Sequence, residues 1–144
     1  MKSNINDKYN LNRFVVAQQL TYETALKEIK NGRKDSHWMW YIFPQVEGLG
    51  HSFLASHYAI KSREEAIEYI NHPVLGPRLI EISEELLKLK SNNASSIFGF
   101  PDDLKLKSSM TLFSIVAPEK PVFNQVLKKF FKGDKCKLTQ VIID

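Results

Sequence analysis

The sequence predicts an all-α fold, one compact domain of about seven to nine mostly short helices. Three observations point there. Apolar residues recur at steps of three and four along nearly the whole chain, and no segment shows strand alternation or a hairpin turn. Capping residues, glycines and prolines cut this pattern at short intervals. A length of 144 residues, 43% hydrophobic and 25% charged, suits a single core, with residues 1–10 as an N-terminal tail and 11–144 as the helical domain.

The first apolar series is Leu11, Phe14, Val15, Gln18, Tyr22, Ala25, Leu26 and Ile29, and Asn31-Gly32 stops it, so one helix of about 20 residues is expected. "SHWMWYIFPQ" (36–45) follows, limited by Pro44 and the Gly-rich "EGLG" to one or two turns. At helical spacing His37, Trp40 and Tyr41 share one face, Trp38 and Ile42 a second, Met39 and Phe43 a third. A helix apolar all round belongs at the centre of a domain. Ser62 and Glu65 form a capping box that opens a helix reaching about Asn71. "VLGPRLIEISEELLKLK" carries a stripe of Val74, Leu75, Leu79, Ile82, Leu86 and Leu89, with a kink expected at Gly76-Pro77.

"NNASSIFG" reads as a short capped turn of helix. "PDDLKLKSSMTLFSIVAP" opens with acidic residues, which suit the positive end of the helix dipole, and ends before Pro118. "PVFNQVLKKFFKG" sets Val122, Phe123, Val126, Leu127 and Phe130 on one face and closes at Gly133; "CKLTQVIID" supplies a last helix.

The charge balance is +4, a mild excess that favours anionic ligands, with no block of five consecutive basic residues. Cys136 is the single cysteine, which excludes an internal disulfide and a thiolate-rich zinc site. The apolar runs are too short to span a membrane and "MKSNINDKYN" does not resemble a signal peptide, so a cytoplasmic protein without a membrane partner is expected. No cofactor is expected either: the glycine-rich dinucleotide and phosphate-loop patterns are absent, and the histidines at 37, 51, 57 and 72 match no standard metal spacing.

Candidate functional residues are few. His37 and His57 suit proton transfer, because imidazole titrates near neutrality; the alternative for each is a hydrogen-bonded structural histidine. Trp38, Trp40 and Tyr41 offer an aromatic wall. Lys105 and Ser109, one helical turn apart, can hold a phosphate or carboxylate, and Arg33 and Arg78 match the same groups unless they are ordinary surface ion-pair partners. "SSMT" is unusual inside a helix, and either close packing or polar groups facing a ligand explains it. The first reading is therefore a small-ligand protein, with an enzyme as one form of it, that binds an anionic or nucleotide-like metabolite in a cavity shared by His37 and Lys105. The second is a non-catalytic helical module whose Lys-rich C-terminal helices, with Lys128, Lys129 and Lys132, bind a protein or nucleic acid.

The blocks "GRKDSHWMWYIFPQVEGLG", "HYAIKSREEAIEYINHPVLGPRL", "IFGFPDDLKLKSSMTLF" and "FNQVLKKFF" resemble, in order, those of a widespread bacterial and fungal family of unknown function whose members were once mislabelled calpastatin. The resemblance runs from about Leu11 to the C-terminus and implies an all-helical single domain, with no established activity. The old label conflicts with the composition, since an inhibitor of that type is an extended disordered chain. A weaker similarity, through "SFLASHYAIKS", "HPVLGPRL", "DDLKLKSSMTLF" and "FNQVL", is to the family of NAD and ADP-ribose metabolism that cleaves N-glycosidic bonds. It implies a third reading, an N-glycosidase of ADP-ribose-type substrates. That family's pattern has a glutamate just before the His-Tyr pair, where this chain has Ser56.

Overall fold

The computed structural model describes residues 7–143; residues 1–6 of the expected tail and Asp144 lie outside them. Ten helices and no strand occur among the described residues: α1 (Asn12–Gln19), α2 (Tyr22–Lys30), α3 (Met39–Ile42), α4 (Phe53–His57), α5 (Arg63–Asn71), α6 (Leu75–Leu87), α7 (Ala94–Phe98), α8 (Asp102–Val116), α9 (Val122–Phe131) and α10 (Lys137–Ile143). The all-α expectation holds, with a count slightly above the predicted range.

The expected long first helix is two helices. Thr21 leaves the helical region at φ −122°, and its hydroxyl donates to the Ala17 carbonyl at 2.5 Å. A threonine that bonds back to its own backbone competes with the helical ladder, and here it ends α1. The buried face survives the break, because Leu11, Phe14, Gln18, Tyr22, Ala25, Leu26 and Ile29 are all buried. Asp7 caps α1, its carboxylate accepting from the N–H groups of Leu11 at 2.7 Å and Asn12 at 2.9 Å.

At α5 the capping box is present but shifted. Ser62 Oγ accepts from the Glu65 N–H at 3.0 Å, whereas the Glu65 carboxylate accepts from Lys61, one residue before the cap. The kink expected at Gly76-Pro77 is replaced by a helix start. α6 begins at Leu75, so Pro77 occupies the first turn, where its missing N–H would have had no helical partner. His72 helps here, because its Nδ1 accepts from the N–H groups of Val74 and Leu75. Burial lowers the His72 pKa against the opposing pull of Asp7 and so favours the neutral ring that can accept. α4 is a helix the periodicity did not reveal: Ser52 caps it by accepting from the Ala55 N–H at 3.1 Å.

α8 is the centre of the domain, packed by α5, α7, α9 and α10, while α6 packs on α2, α5 and α9. One aromatic seam passes through the core from Phe14 to Tyr69 (5.0 Å between ring centres), Phe113 (5.4 Å) and Phe123 (5.7 Å). A second cluster joins Trp38, Phe43 and Phe98. "SSMT" faces inward, and Ser108, Ser109, Met110 and Thr111 are all buried. Thr111 Oγ1 donates to the Lys107 carbonyl and accepts from the Cys136 N–H, bringing the segment before α10 close to the α8 backbone. Close packing is a structural use of Ser109 and Thr111.

Candidate functional site

The loop before α3 is organised by one carboxylate. Glu28 accepts from the N–H groups of Asp35 (2.8 Å) and Ser36 (2.9 Å), from the Ser36 hydroxyl (2.5 Å) and from the Trp38 indole N–H (2.8 Å). Partial burial works to raise its pKa, but the bonds from Ser36, Asp35 and Trp38 outweigh that and lower it from 4.5 to about 2. Trp38 is fully buried, and its one polar handle is engaged. Glu28→Ala is expected to cost about 2–4 kcal/mol, because it strands a buried indole N–H and frees the loop. The stabilisation by the ionised group is complete above about pH 4.5 and is lost as pH falls toward 2, so Glu28→Gln should flatten acid unfolding in that window. Chemical denaturation at a series of pH values checks both; an unchanged acid limb in Glu28→Gln would rule out the assignment.

From this loop a chain of charges leads to the start of α8. Lys34, whose side chain is only 7% exposed, meets Asp102 at 2.9 Å, and Lys105 meets the other oxygen of Asp102 at 2.9 Å. Burial alone would raise the Asp102 pKa, yet hydrogen bonds and charge from the two lysines hold it below the ordinary carboxylate value. Lys105 Nζ in turn lies over the Trp40 ring, 4.2 Å from its centre.

This pair walls a hollow of about 300 Å³ bounded by Trp40, Gln45, Leu49, Gly50, Pro101, Leu104, Lys105 and Ser108. Leu104 and Ser108 also line a neighbouring hollow of about 630 Å³, with Lys107, Lys135, Cys136 and Lys137 on its far side. Burial pushes the Cys136 thiol up, but bonds from Ser108 and from the Thr139 and Leu138 backbone outweigh it and hold its pKa below the ordinary thiol value. Among the described residues no group of carboxylate, histidine and cysteine side chains is arranged to hold a metal ion. No helix there is long and apolar enough to cross a membrane.

The chain matches, across residues 8–143, a family described as protein of unknown function, DUF1810. It belongs to that family. Among solved structures, this DUF1810 chain is similar to the conserved hypothetical protein Rv1873 from Mycobacterium tuberculosis, with 43% identity and a TM-score of 0.91 over 93% of this chain and 96% of that one. No curated protein matches the sequence.

Within the DUF1810 fold the sequence-predicted residues divide. Trp40 and Lys105 come together at the hollow; His37 is exposed and is not among its lining residues, so this hollow is not a cavity shared by His37 and Lys105. The reason lies in the one-turn length of α3, which ends the face that was to carry His37 beside Trp40 before it begins. Tyr41 packs on Tyr58 and donates to Thr21 Oγ1 at 3.2 Å. Ser109, one turn beyond Lys105, is fully buried inside α8's packing, with its hydroxyl unpaired, and does not line the hollow.

The other basic residues lie elsewhere in the DUF1810 chain. Arg33 is exposed beside Asp35 at 3.4 Å. Arg78 covers the Tyr22 ring at 5.2 Å and reaches Gln18 Oε1 only at 3.4 Å. His57 is exposed, stacked on Phe53, and lines a different hollow with Arg13 and Lys61. Lys129 is held by the Leu89 carbonyl at 2.7 Å and Asn92 at 2.8 Å. Sequence reasoning missed Gln45, Leu49, Gly50, Pro101, Leu104 and Ser108. Gln45 alone left a signal, a polar residue set between the apolar "YIFP" and Val46.

Proposed function

We propose that this DUF1810 protein binds a small anionic, nucleotide-like metabolite in the hollow between α3, the loop at residues 45–50 and the first half of α8. The observation that carries the reading is the Lys105 ammonium poised over the Trp40 ring at the wall of that hollow. A cation beside an aromatic face and apolar walls serves a ligand with a charged end and a ring: charge-assisted hydrogen bonds hold the first and stacking holds the second. Around the adjoining hollow Lys107, Lys135 and Lys137 outnumber the one carboxylate, Asp134, and add to the positive field. The reading assigns no proton-transfer role to His37 or His57.

The test is a thermal-shift screen with nucleoside phosphates, ADP-ribose and simple anions. A ligand at 100 times its Kd stabilises the native state by about 2.7 kcal/mol, a readily measured shift. Lys105→Ala should weaken the responding ligand by about 10-fold or more, the scale of one charge-assisted bond. Absence of a shift with every anion, or a response indifferent to Lys105→Ala, would count against the site.

A further inference from the structure

We infer that the ligand of this hollow carries a planar nucleobase whose edge is read by Gln45; the inference rests on the binding reading just given. Gln45 is only 8% exposed. Its carbonyl is committed to the Ile60 N–H at 2.8 Å, beside the single bridge that pairs Val46 with Ile60, so the backbone that carries the side chain is fixed. Its side-chain amide, by contrast, has no protein hydrogen-bond partner among the described residues, although the residue lines both the Lys105 hollow and the small one beside it. Its amide oxygen and nitrogen are not among the fully enclosed, unpaired side-chain atoms of the described residues, which are Ser109 Oγ and Thr139 Oγ1, so they keep an opening to their surroundings. Here the open side is the hollow.

The chemistry of an amide narrows what belongs there. It presents one donor and one acceptor side by side in a plane, and the complementary object is a ring edge bearing an acceptor next to a donor. The amino group and ring nitrogen of adenine form such an edge, and glutamine reads them with two hydrogen bonds. The walls agree with a flat occupant. Trp40 contributes its ring, and Leu49, Pro101 and Leu104 contribute apolar surface. Gly50 closes down on the tryptophan: a Cβ there would meet Ala55 Cβ at 2.9 Å and the Trp40 ring at 3.5 Å. Lys105, now over the ring, is placed to turn to a phosphate, leaving its position on the aromatic face to the base. Gln45 is thus a specificity-determining residue, Trp40 the stacking platform and Lys105 the anion clamp.

Calorimetric titration of the full chain with AMP, ribose 5-phosphate and inorganic phosphate tests this. AMP should bind at least about 100-fold more tightly than ribose 5-phosphate, the combined scale of a two-bond base contact and one stacking contact. Gln45→Glu, which offers only acceptors and adds a negative charge beside Lys105, should weaken AMP by about 10-fold or more, whereas the uncharged Gln45→Leu should leave ribose 5-phosphate within about twofold. Gln45→Leu should show the same loss of preference for AMP without lowering Tm, because the amide has no hydrogen-bond partner among the described residues. Equal affinity for AMP and ribose 5-phosphate, both lost in Lys105→Ala, overturns the base inference and leaves the anion site standing. A large drop in Tm in Gln45→Leu overturns it too, since the amide would then be a structural group. Binding of none of the three probes overturns the site itself.

Discussion

Arg13→Met should destabilise the protein by about 3–5 kcal/mol, the cost of breaking a buried ion pair from one side. The Arg13 side chain is 8% exposed and meets Glu65, 2% exposed, at 2.7 Å. The same guanidinium donates to four carbonyls: Tyr9 at 2.7 Å, Asn10 at 2.9 Å, His57 at 2.8 Å and Ala59 at 2.8 Å. One side chain therefore ties the segment before α1 to the end of α4 and the start of α5. Lysine cannot reproduce the fork, so Arg13→Lys should recover only a small part of the loss. Arg13→Met combined with Glu65→Leu should be less damaged than Arg13→Met alone, because no charge is left buried without its partner. Urea unfolding of the three variants measures these differences, and a loss under about 1 kcal/mol in Arg13→Met would refute the role.

Gly76→Ala should cost about 3 kcal/mol or more, with a sign opposite to helix propensity. Within a helix, alanine in place of glycine normally gains up to about 1 kcal/mol. At Gly76, however, a Cβ would lie 2.1 Å from the Ile70 carbonyl oxygen and 3.0 Å from its carbon. Those are backbone atoms near the end of α5 and cannot swing aside as a flexible side chain does, so α5 and α6 must separate. The Gly76 N–H also donates to the His72 carbonyl at 3.1 Å, fixing the turn between the two helices. A wild-type urea midpoint in Gly76→Ala would show that the pair has slack.

Both effects indicate which parts of the fold are legible in the sequence. The inward faces are, because burial follows the three- and four-residue period: Phe14, Ile29, Leu79, Ile82, Phe123 and Val126 all lie in the core. The caps at Ser62 and Asn93 are legible too, since each acts on N–H groups two or three residues away. The break at Thr21 is less so, because a threonine within an unbroken apolar period carries no stop signal of its own. Arg13 reads as a polar position on the first helix, and nothing nearby announces partners at residues 57, 59 and 65.

The candidate site divides in the same way. Trp40 and Lys105 stand out by residue type, and the fold joins them across 65 positions of chain. Gln45 stands out only faintly, as one polar residue after an apolar run. Its interest comes from its place on the wall of the hollow, with no side-chain partner among the described residues, and that place exists only once the bridge to Ile60 and the approach of α8 have formed the wall.

The pairing of Lys34 and Lys105 on Asp102 has a mechanical consequence. The two lysines grip different oxygens of one carboxylate, but Lys34 is the more deeply buried, at 7% exposure against 21%. Lys34 also donates to the Ser36 carbonyl at 2.6 Å, and its own N–H is bonded to the Ile97 carbonyl at 2.7 Å. The deeper lysine is thus the anchor, and the shallower one is the arm that the proposed ligand would draw off. If Lys105 swings away, the loop before α3 stays fastened to α8 through Lys34, and the carboxylate keeps a counter-charge while the arm is out.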